Sequence, residues 1–114
     1  MWIITQDGFY SVTAYDPLRG GERSDAEGLV IVRTRDRADL ERVSDWIGDE
    51  VIATPAADCA FRIIASRNAW KSYLAQATDE IDYFNFKHRV AERLGAFHHD
   101  VLMTVWSALR RLQR

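Results

Sequence analysis

The stretch DEIDYFNFKHRVAERL, from Asp79 to Leu94, joins two segments with helical periodicity and contains few turn-forming residues. It places four large apolar side chains within six positions: Ile81, Tyr83, Phe84 and Phe86. An apolar spacing of four then continues from Phe86, which predicts a helix that begins near Asp82 and ends at Gly95. We interpret the stretch as a hinge whose apolar residues dock two C-terminal helices onto the preceding chain. A recognition surface is the alternative, because basic residues follow its aromatics.

The composition is that of one globular domain. The chain has 114 residues, of which 47% are hydrophobic and 28% are charged, and this length is enough to bury a core without disulfides. Its single cysteine, Cys59, lies in an apolar run and is predicted to be a buried, inert thiol. A net charge of -2 argues against general nucleic-acid binding. The chain shows no signal-peptide pattern and no run of about 18 apolar residues, so we expect a cytoplasmic protein without a membrane segment.

Four segments have the composition of β-strands, with Val, Ile and aromatic residues enriched and turn residues on either side. They are Phe9–Tyr15, Leu29–Thr34, Val51–Thr54 and Cys59–Ala65. Four consecutive aliphatic residues in Leu29–Thr34 indicate a strand inside the sheet. Its period of two places Arg33 on the same face as Leu29 and Ile31. The charged segment Asp16–Gly28 is predicted to be a long hairpin loop, with a functional flap as the alternative.

Helical signals separate and follow these strands. Asp36 is a good N-cap and Gly48 a good C-terminal stop, so the sequence predicts a helix from Arg37 to Ile47. Ser66 is predicted to cap a second helix whose apolar stripe extends to Ile81. A last helix is predicted from about residue 98 to residue 112, with an apolar face and a basic C-terminal end.

These elements predict an α+β fold. The order ββαββα matches a four-stranded antiparallel sheet in a ferredoxin-like sandwich, with the usual last strand moved to the front and the strand order 1-2-4-3. Residues 1–81 form the sandwich core of this single domain, and residues 82–114 form a C-terminal helical pair. Both sandwich helices cover one face of the sheet. The other face must therefore be polar, or be covered by the last two helices or by a second subunit.

Several motifs together resemble a family of small uncharacterised bacterial and phage proteins. They are MWIITQDGFYSV at residues 1–12, the strand with RDRADLE at Val32–Glu41, IDYFNFK at Ile81–Lys87, and VWSAL at Val105–Leu109. The likeness covers most of the chain, and Ile81–Lys87 is its most specific part. It implies no biochemical activity. The family's Tyr-His pair before VW falls here on Leu102 and Met103, so any chemistry of that histidine is missing from this chain.

The sequence predicts no enzyme, no cofactor and no metal site. It lacks the nucleophile-elbow, P-loop, dinucleotide-binding and zinc-protease motifs. His98-His99-Asp100 is the only metal-like group, but adjacent histidines on a helix diverge by about 100°. Charged residues near Tyr83 and His88 suggest an acid–base site only weakly, because nothing fixes a nucleophile beside a base.

We expect a non-catalytic protein-interaction module that associates with itself as a dimer, since four tryptophans are a surplus of potential interface anchors. The runner-up is single-stranded nucleic-acid binding through an arginine-bearing sheet face, although no pair of aromatics on the sheet is evident. A small-molecule site at Tyr83–His88 is a third possibility. The candidate interaction residues are Trp2, Arg33, Arg35, Arg62, Tyr83 and Lys87.

Overall fold

The computed structural model describes residues 1–16, 28–48 and 50–114. The chain forms two compact units, Met1–Glu80 and Ile81–Arg114. None of the helices among the described residues has the length and apolar character needed to cross a membrane.

The first unit contains an antiparallel sheet, which among the described residues has five strands. The strands are β1 (Trp2–Thr5), β2 (Gly8–Ala14), β3 (Leu29–Thr34), β4 (Ile52–Ala53) and β5 (Phe61–Ser66). Their order across the sheet is β1-β2-β3-β5-β4. The long aliphatic strand β3 is therefore central, as its sequence predicts.

Two helices of this unit pack on one face of the sheet. They are α1 (Arg37–Ile47) and α2 (Arg67–Asp79). The Asp36 side chain caps α1 by accepting a hydrogen bond from Ala38 N at 3.0 Å, and Ser66 caps α2 by accepting one from Ala69 N at 3.0 Å. Gly48 ends α1 in the left-handed conformation. The core lies between these helices and the sheet and consists of Tyr10, Val12, Val30, Val32, Leu40, Val43, Ile47, Ile63, Ala65, Trp70 and Tyr73.

The antiparallel α+β architecture is confirmed, but the predicted number of strands is wrong. Trp2–Thr5 forms an additional edge strand, which pairs with β2 through a tight turn. The four predicted strands keep their predicted relative order. Cys59 is half-buried, so the prediction of a buried thiol is wrong. It also precedes β5, so its assignment to a strand is wrong. Most of the predicted loop Asp16–Gly28 lies outside the described residues.

The second unit is a helical hairpin of α3 (Phe86–Leu94) and α4 (Ala96–Leu109), followed by a short 3-10 helix, Arg110–Leu112. The Asn85 side chain caps α3 by accepting a hydrogen bond from His88 N at 2.9 Å. The helix therefore begins four residues later than the apolar spacing predicts. Ile81 is 57% exposed and Phe84 is fully exposed. The interpretation of these two side chains as docking residues is wrong, because they remain in solvent.

Candidate functional site

The sheet face opposite α1 and α2 carries a row of side chains that the strand register aligns, beside a buried apolar cluster of Tyr15, Leu29 and Ile31. Trp2 on β1 is paired with Ser11 on β2, Ser11 with Arg33 on β3, and Arg33 with Arg62 on β5. Directly paired residues point to the same face of a sheet. At about 4.8 Å between strands, the row from Trp2 to Arg62 spans roughly 14 Å. Three of the predicted interaction residues are thus brought together, and of these only the place of Trp2 is not revealed by the sequence.

A cleft of about 490 Å³ lies along this row and is called here the arginine cleft. It is lined by Trp2, Phe9, Ser11, Arg33, Arg35, Ala57, Asp58, Cys59 and Arg62. This volume is within the range of small-ligand sites. Its three arginines face one aspartate, so positive charge is in excess here although the chain as a whole is acidic.

Arg33 and Arg62 form a like-charge pair at the centre of the cleft. Burial, and then the neighbouring positive charge of Arg62, lower the pKa of the Arg33 guanidinium from its usual value. Arg33 donates a hydrogen bond to the Thr13 hydroxyl at 2.8 Å. The Arg62 Nε atom is buried, and no described residue accepts a hydrogen bond from it. Like charges directly opposite one another on a sheet are destabilising, and an anion between them removes that cost.

Two aromatic side chains border the arginines. The Trp2 ring is 81% exposed, and it meets the Phe9 ring edge to face, with the centroids 5.9 Å apart and the planes at 84°. The aromatic pair that the sequence did not make evident is therefore present. The sequence does not predict this pair, because Trp2 belongs to β1, which is absent from the predicted sheet.

The ion pairs of nearby arginines involve residues that do not line the arginine cleft. Arg37 pairs with Glu41 at 2.8 Å, and Arg42 pairs with Asp39, so these two arginines are neutralised by nearby acids. Among the described residues, neither Arg33 nor Arg35 takes part in such a pair. Guanidinium groups without carboxylate partners are suited to phosphate, which they bind through parallel hydrogen bonds.

The other two predicted interaction residues lie in the second unit and are engaged there. The Lys87 Nζ atom lies 4.2 Å from the Trp106 ring centroid. Tyr83 packs against Phe86, with ring centroids 5.8 Å apart, and the Arg89 guanidinium lies 5.0 Å from its ring. These contacts are internal to the helical hairpin. A shallow depression of about 310 Å³ beside Tyr83 and His88 is half-open and holds no arranged nucleophile and base among the described residues.

The position of β1, and with it Trp2, depends on a buried polar cluster at the β1–β2 turn, called here the turn network. The Tyr73 hydroxyl donates to Asp7 Oδ2 at 2.7 Å. It must therefore accept from the Thr5 hydroxyl, which is also 2.7 Å away. Thr5 Oγ1 in turn accepts from Asp7 N at 3.1 Å. The side chain of Gln6 extends the network by donating to Glu80 at 2.8 Å, at the end of α2.

Asp39 ties the same turn to α1. Its carboxylate accepts from Phe9 N at 3.2 Å and from the Arg42 guanidinium, and Arg42 Nε donates to the Asp7 carbonyl at 2.7 Å. The Tyr10 hydroxyl donates to the Asp39 carbonyl at 2.7 Å. The sequence predicts only an acid that suits the helix dipole at this position. The structure instead gives a buried carboxylate whose partners hold the hairpin against the helix.

Alkaline pH is expected to unfold the first unit through this network. Burial is the largest cause that raises the pKa of both Tyr10 and Tyr73 far above the usual value of 10.0. Above pH 10 the unfolded chain therefore loses protons that the folded chain retains, and the free energy of unfolding falls as pH rises. Two tyrosines give a slope of up to about 2.7 kcal/mol per pH unit. Urea unfolding between pH 8 and 11 measures it.

The matched variant for this measurement is Tyr73→Phe, which removes one of the two buried hydroxyls. Its pH slope above pH 10 is expected to be about half that of the original chain, even though its stability at pH 8 is lower. An unchanged slope would show that other groups cause the alkaline unfolding.

Comparison of the chain with protein-family models, with curated proteins and with solved structures gives no match. The resemblance to small bacterial and phage proteins stays a prediction from the motifs.

Proposed function

We propose that this domain binds single-stranded nucleic acid in the arginine cleft and carries out no catalysis. The observation that carries the proposal is the alignment of Arg33 and Arg62 with Trp2 on the sheet face opposite the helices. Arginines hold the phosphates and the exposed indole stacks on a base, which is how sheet faces recognise single strands. The span of roughly 14 Å suits one or two nucleotides.

The local charge supports this function better than the overall charge does. The net charge of -2 argued against nucleic-acid binding, but phosphate contacts act over a Debye length of about 8 Å in physiological salt. A strand in the cleft meets the arginines at hydrogen-bond distance, while most of the acidic residues lie outside it.

The topology adds a second line of support. We propose that β2 to β5 with α1 and α2 correspond to a ferredoxin-like sandwich in permuted order, which β1 extends at one edge. In sheets of this kind the face without helices is the one on which single-stranded RNA is bound. The added strand supplies Trp2, which joins Phe9 of β2 as a second aromatic residue in the cleft.

Arg33→Glu is expected to weaken binding of a fluorescein-labelled single-stranded 12-mer by about tenfold or more in fluorescence anisotropy. The reason is the loss of a charge-assisted hydrogen bond to phosphate, worth about 1.5–3 kcal/mol. The original chain should show a log–log salt slope of about -2 for three phosphate contacts, and the variant a shallower one. The fold is expected to be unharmed, because the introduced carboxylate would face Arg62 as an opposite charge across the strands.

Arg67→Glu is the matched control. It makes the same change in net charge at an exposed residue that begins α2 and does not line the cleft. Its affinity for the 12-mer is expected to stay within about twofold, since long-range charge effects are screened by salt. Absence of binding by the original chain at 20 mM salt would refute the proposal, as would an equal loss in both variants.

Self-association is a second candidate function, and a different observation favours it. Helix α4 has no buried residue, and large apolar side chains along it are exposed. We propose that the second unit acts as a protein-interaction module whose partner is another copy of the chain. An exposed apolar helix face of this kind is typical of interaction sites.

A further inference from the structure

The two arginines at the centre of the arginine cleft lie close enough together to bind the same phosphate group. Arg33 and Arg62 are directly paired across β3 and β5, and residues paired in this way have Cβ atoms about 4.5–5.5 Å apart. Both side chains are half-buried. The Nε atom of Arg62 is buried and has no hydrogen-bond acceptor in the described part of the chain. One phosphate group can therefore accept charge-assisted hydrogen bonds from both guanidinium groups at once.

The kind of phosphate decides how much of the positive charge of this pair is neutralised. A phosphodiester inside a strand carries one negative charge and has two unbridged oxygens. A terminal phosphate carries a charge of about -1.5 to -2 at pH 7 and has three acceptor oxygens. Charges that are removed from water need opposite charges and hydrogen bonds to offset the cost. The half-buried pair of Arg33 and Arg62 therefore matches a terminal phosphate better than an internal one.

The cleft lining changes from aromatic to acidic across the sheet. Trp2 and Phe9 belong to β1 and β2 at one side of the sheet, whereas Asp58 lies in the turn that joins β4 to β5 at the other. Within the described residues Asp58 forms no ion pair, so it does not neutralise a cleft arginine at salt-bridge distance. A backbone that continued beyond Arg62 would bring a further phosphate towards this carboxylate, and like charges repel. The cleft therefore favours a strand that ends at Arg62.

Hydrogen bonds fix the turn that carries Asp58. The Thr54 amide donates to the Ala60 carbonyl at 2.6 Å, and the Ala57 amide donates to the Thr54 carbonyl at 2.9 Å. The Thr54 hydroxyl also donates to the Cys59 carbonyl at 3.1 Å. The acid therefore belongs to a closed turn, which holds it in the cleft lining.

We infer that the arginine cleft binds the phosphorylated end of a single strand, with the terminal phosphate between Arg33 and Arg62 and the first base towards Trp2. The inference rests on the proposed nucleic-acid binding and adds which part of the strand is bound. Asp58 determines specificity in this arrangement, because its carboxylate repels the backbone of a strand that passes through the cleft without ending there.

Fluorescence anisotropy with three single-stranded 12-mers of one sequence tests this inference. Each strand carries fluorescein on an internal base, and the three differ only in having a 5′-phosphate, a 3′-phosphate or two hydroxyl ends. At pH 7.5 and 20 mM salt, one or both phosphorylated strands are expected to bind about tenfold more tightly than the hydroxyl-ended strand. The strand that binds more tightly identifies the end that the cleft accepts.

Two variants separate recognition of the terminal phosphate from general attraction to charge. Arg62→Gln should reduce the preference for the phosphorylated strand to about twofold or less, because one half of the cross-strand pair is lost. Arg35→Gln is the matched control, since it removes the same charge from the cleft lining at a residue outside that pair. It should weaken phosphorylated and hydroxyl-ended strands by a similar factor and leave the preference intact.

Asp58→Asn is expected to relax the requirement for an end. A circular single strand has no terminal phosphate, so the original chain should bind it no more tightly than the hydroxyl-ended 12-mer. The variant should bind the circle about threefold more tightly than the original chain does, because the carboxylate no longer repels a continuing backbone. Its gain for the phosphorylated 12-mer should be smaller. An equal gain for both strands would contradict the role of Asp58.

Each outcome decides one level. Equal binding of all three 12-mers, or a preference that Arg62→Gln leaves intact, overturns end recognition and leaves single-strand binding in place. Binding of none of them at 20 mM salt overturns both. A phosphoserine peptide that binds more tightly than the phosphorylated 12-mers would assign the cleft to phosphorylated proteins, and it would equally overturn the inference.

Discussion

Replacing Gly8 by alanine is expected to destabilise the first unit by about 3–5 kcal/mol, which lowers its melting temperature by roughly 15 °C or more. Gly8 adopts a φ of +150°, and a Cβ atom there would lie 2.6 Å from Asp39 Cβ and closer still to its carboxyl group. The side chain cannot move aside, because its oxygens accept from Phe9 N and from Arg42. Thermal unfolding followed by circular dichroism measures the loss.

Two other glycines provide a graded control in the same unit. Gly48 has a φ of +76° but open space where a Cβ would stand, so Gly48→Ala should cost only the left-handed strain of about 1 kcal/mol. Gly28 has neither a positive φ nor a close neighbour, and Gly28→Ala should be nearly neutral. If all three variants lost the same stability, the clash with Asp39 would not be the cause.

The arginine cleft shows what the sequence reveals about a site and what it does not. The arginines of β3 and β5 are identifiable as a possible binding face, because a period of two places Arg33 outward and a short turn makes the last two strands a hairpin. The aromatic part of this site is not predictable in the same way. Trp2–Thr5 is only four residues long and its apolar and polar residues do not alternate, so it lacks the period that distinguishes a strand. Only the register shows that Trp2 joins the same row.

Local signals were the most reliable guide to the fold. Asp36, Ser66 and Gly48 mark helix ends through hydrogen bonds or dihedral angles within a few residues, and the structure confirms each of them. The exposure of Phe84 depends instead on partners far along the chain or on another molecule, and composition does not encode it. Apolar residues in a short segment therefore predicted docking where the structure shows solvent.

The turn network was hidden for a related reason. Tyr73 belongs to the apolar stripe of α2 by spacing, and Asp39 is a favourable first-turn acid, so neither residue breaks a local rule. Their polar atoms meet only when the β1–β2 turn is placed between the two helices. A sequence pattern identifies which face of a helix is buried, but it does not identify which buried oxygens face one another.

Asp39→Ala is expected to cost the first unit about 3–4 kcal/mol of unfolding free energy. The variant leaves the half-buried Arg42 guanidinium without its carboxylate and leaves Phe9 N without an acceptor, and removing one partner of a buried ion pair typically costs about 3–5 kcal/mol. Asp39→Asn keeps the shape and one acceptor oxygen, so its cost should be about half as large. Chemical denaturation at pH 7 compares the two variants.

A double-mutant cycle with Gly8→Ala isolates the contact between the two residues. Asp39→Ala removes the carboxyl group that the new Cβ would strike but leaves the Asp39 Cβ position 2.6 Å away, so the combined loss should be smaller than the two single losses added by about 1–2 kcal/mol. Strict additivity would mean that Gly8 is required for its dihedral angle alone.

Asp39 also fixes the backbone of Phe9, whose ring contacts Trp2 in the arginine cleft. Folded Asp39→Ala at low temperature should therefore bind the 12-mer several-fold more weakly than folded Asp39→Asn, because the buried network holds the stacking surface in place.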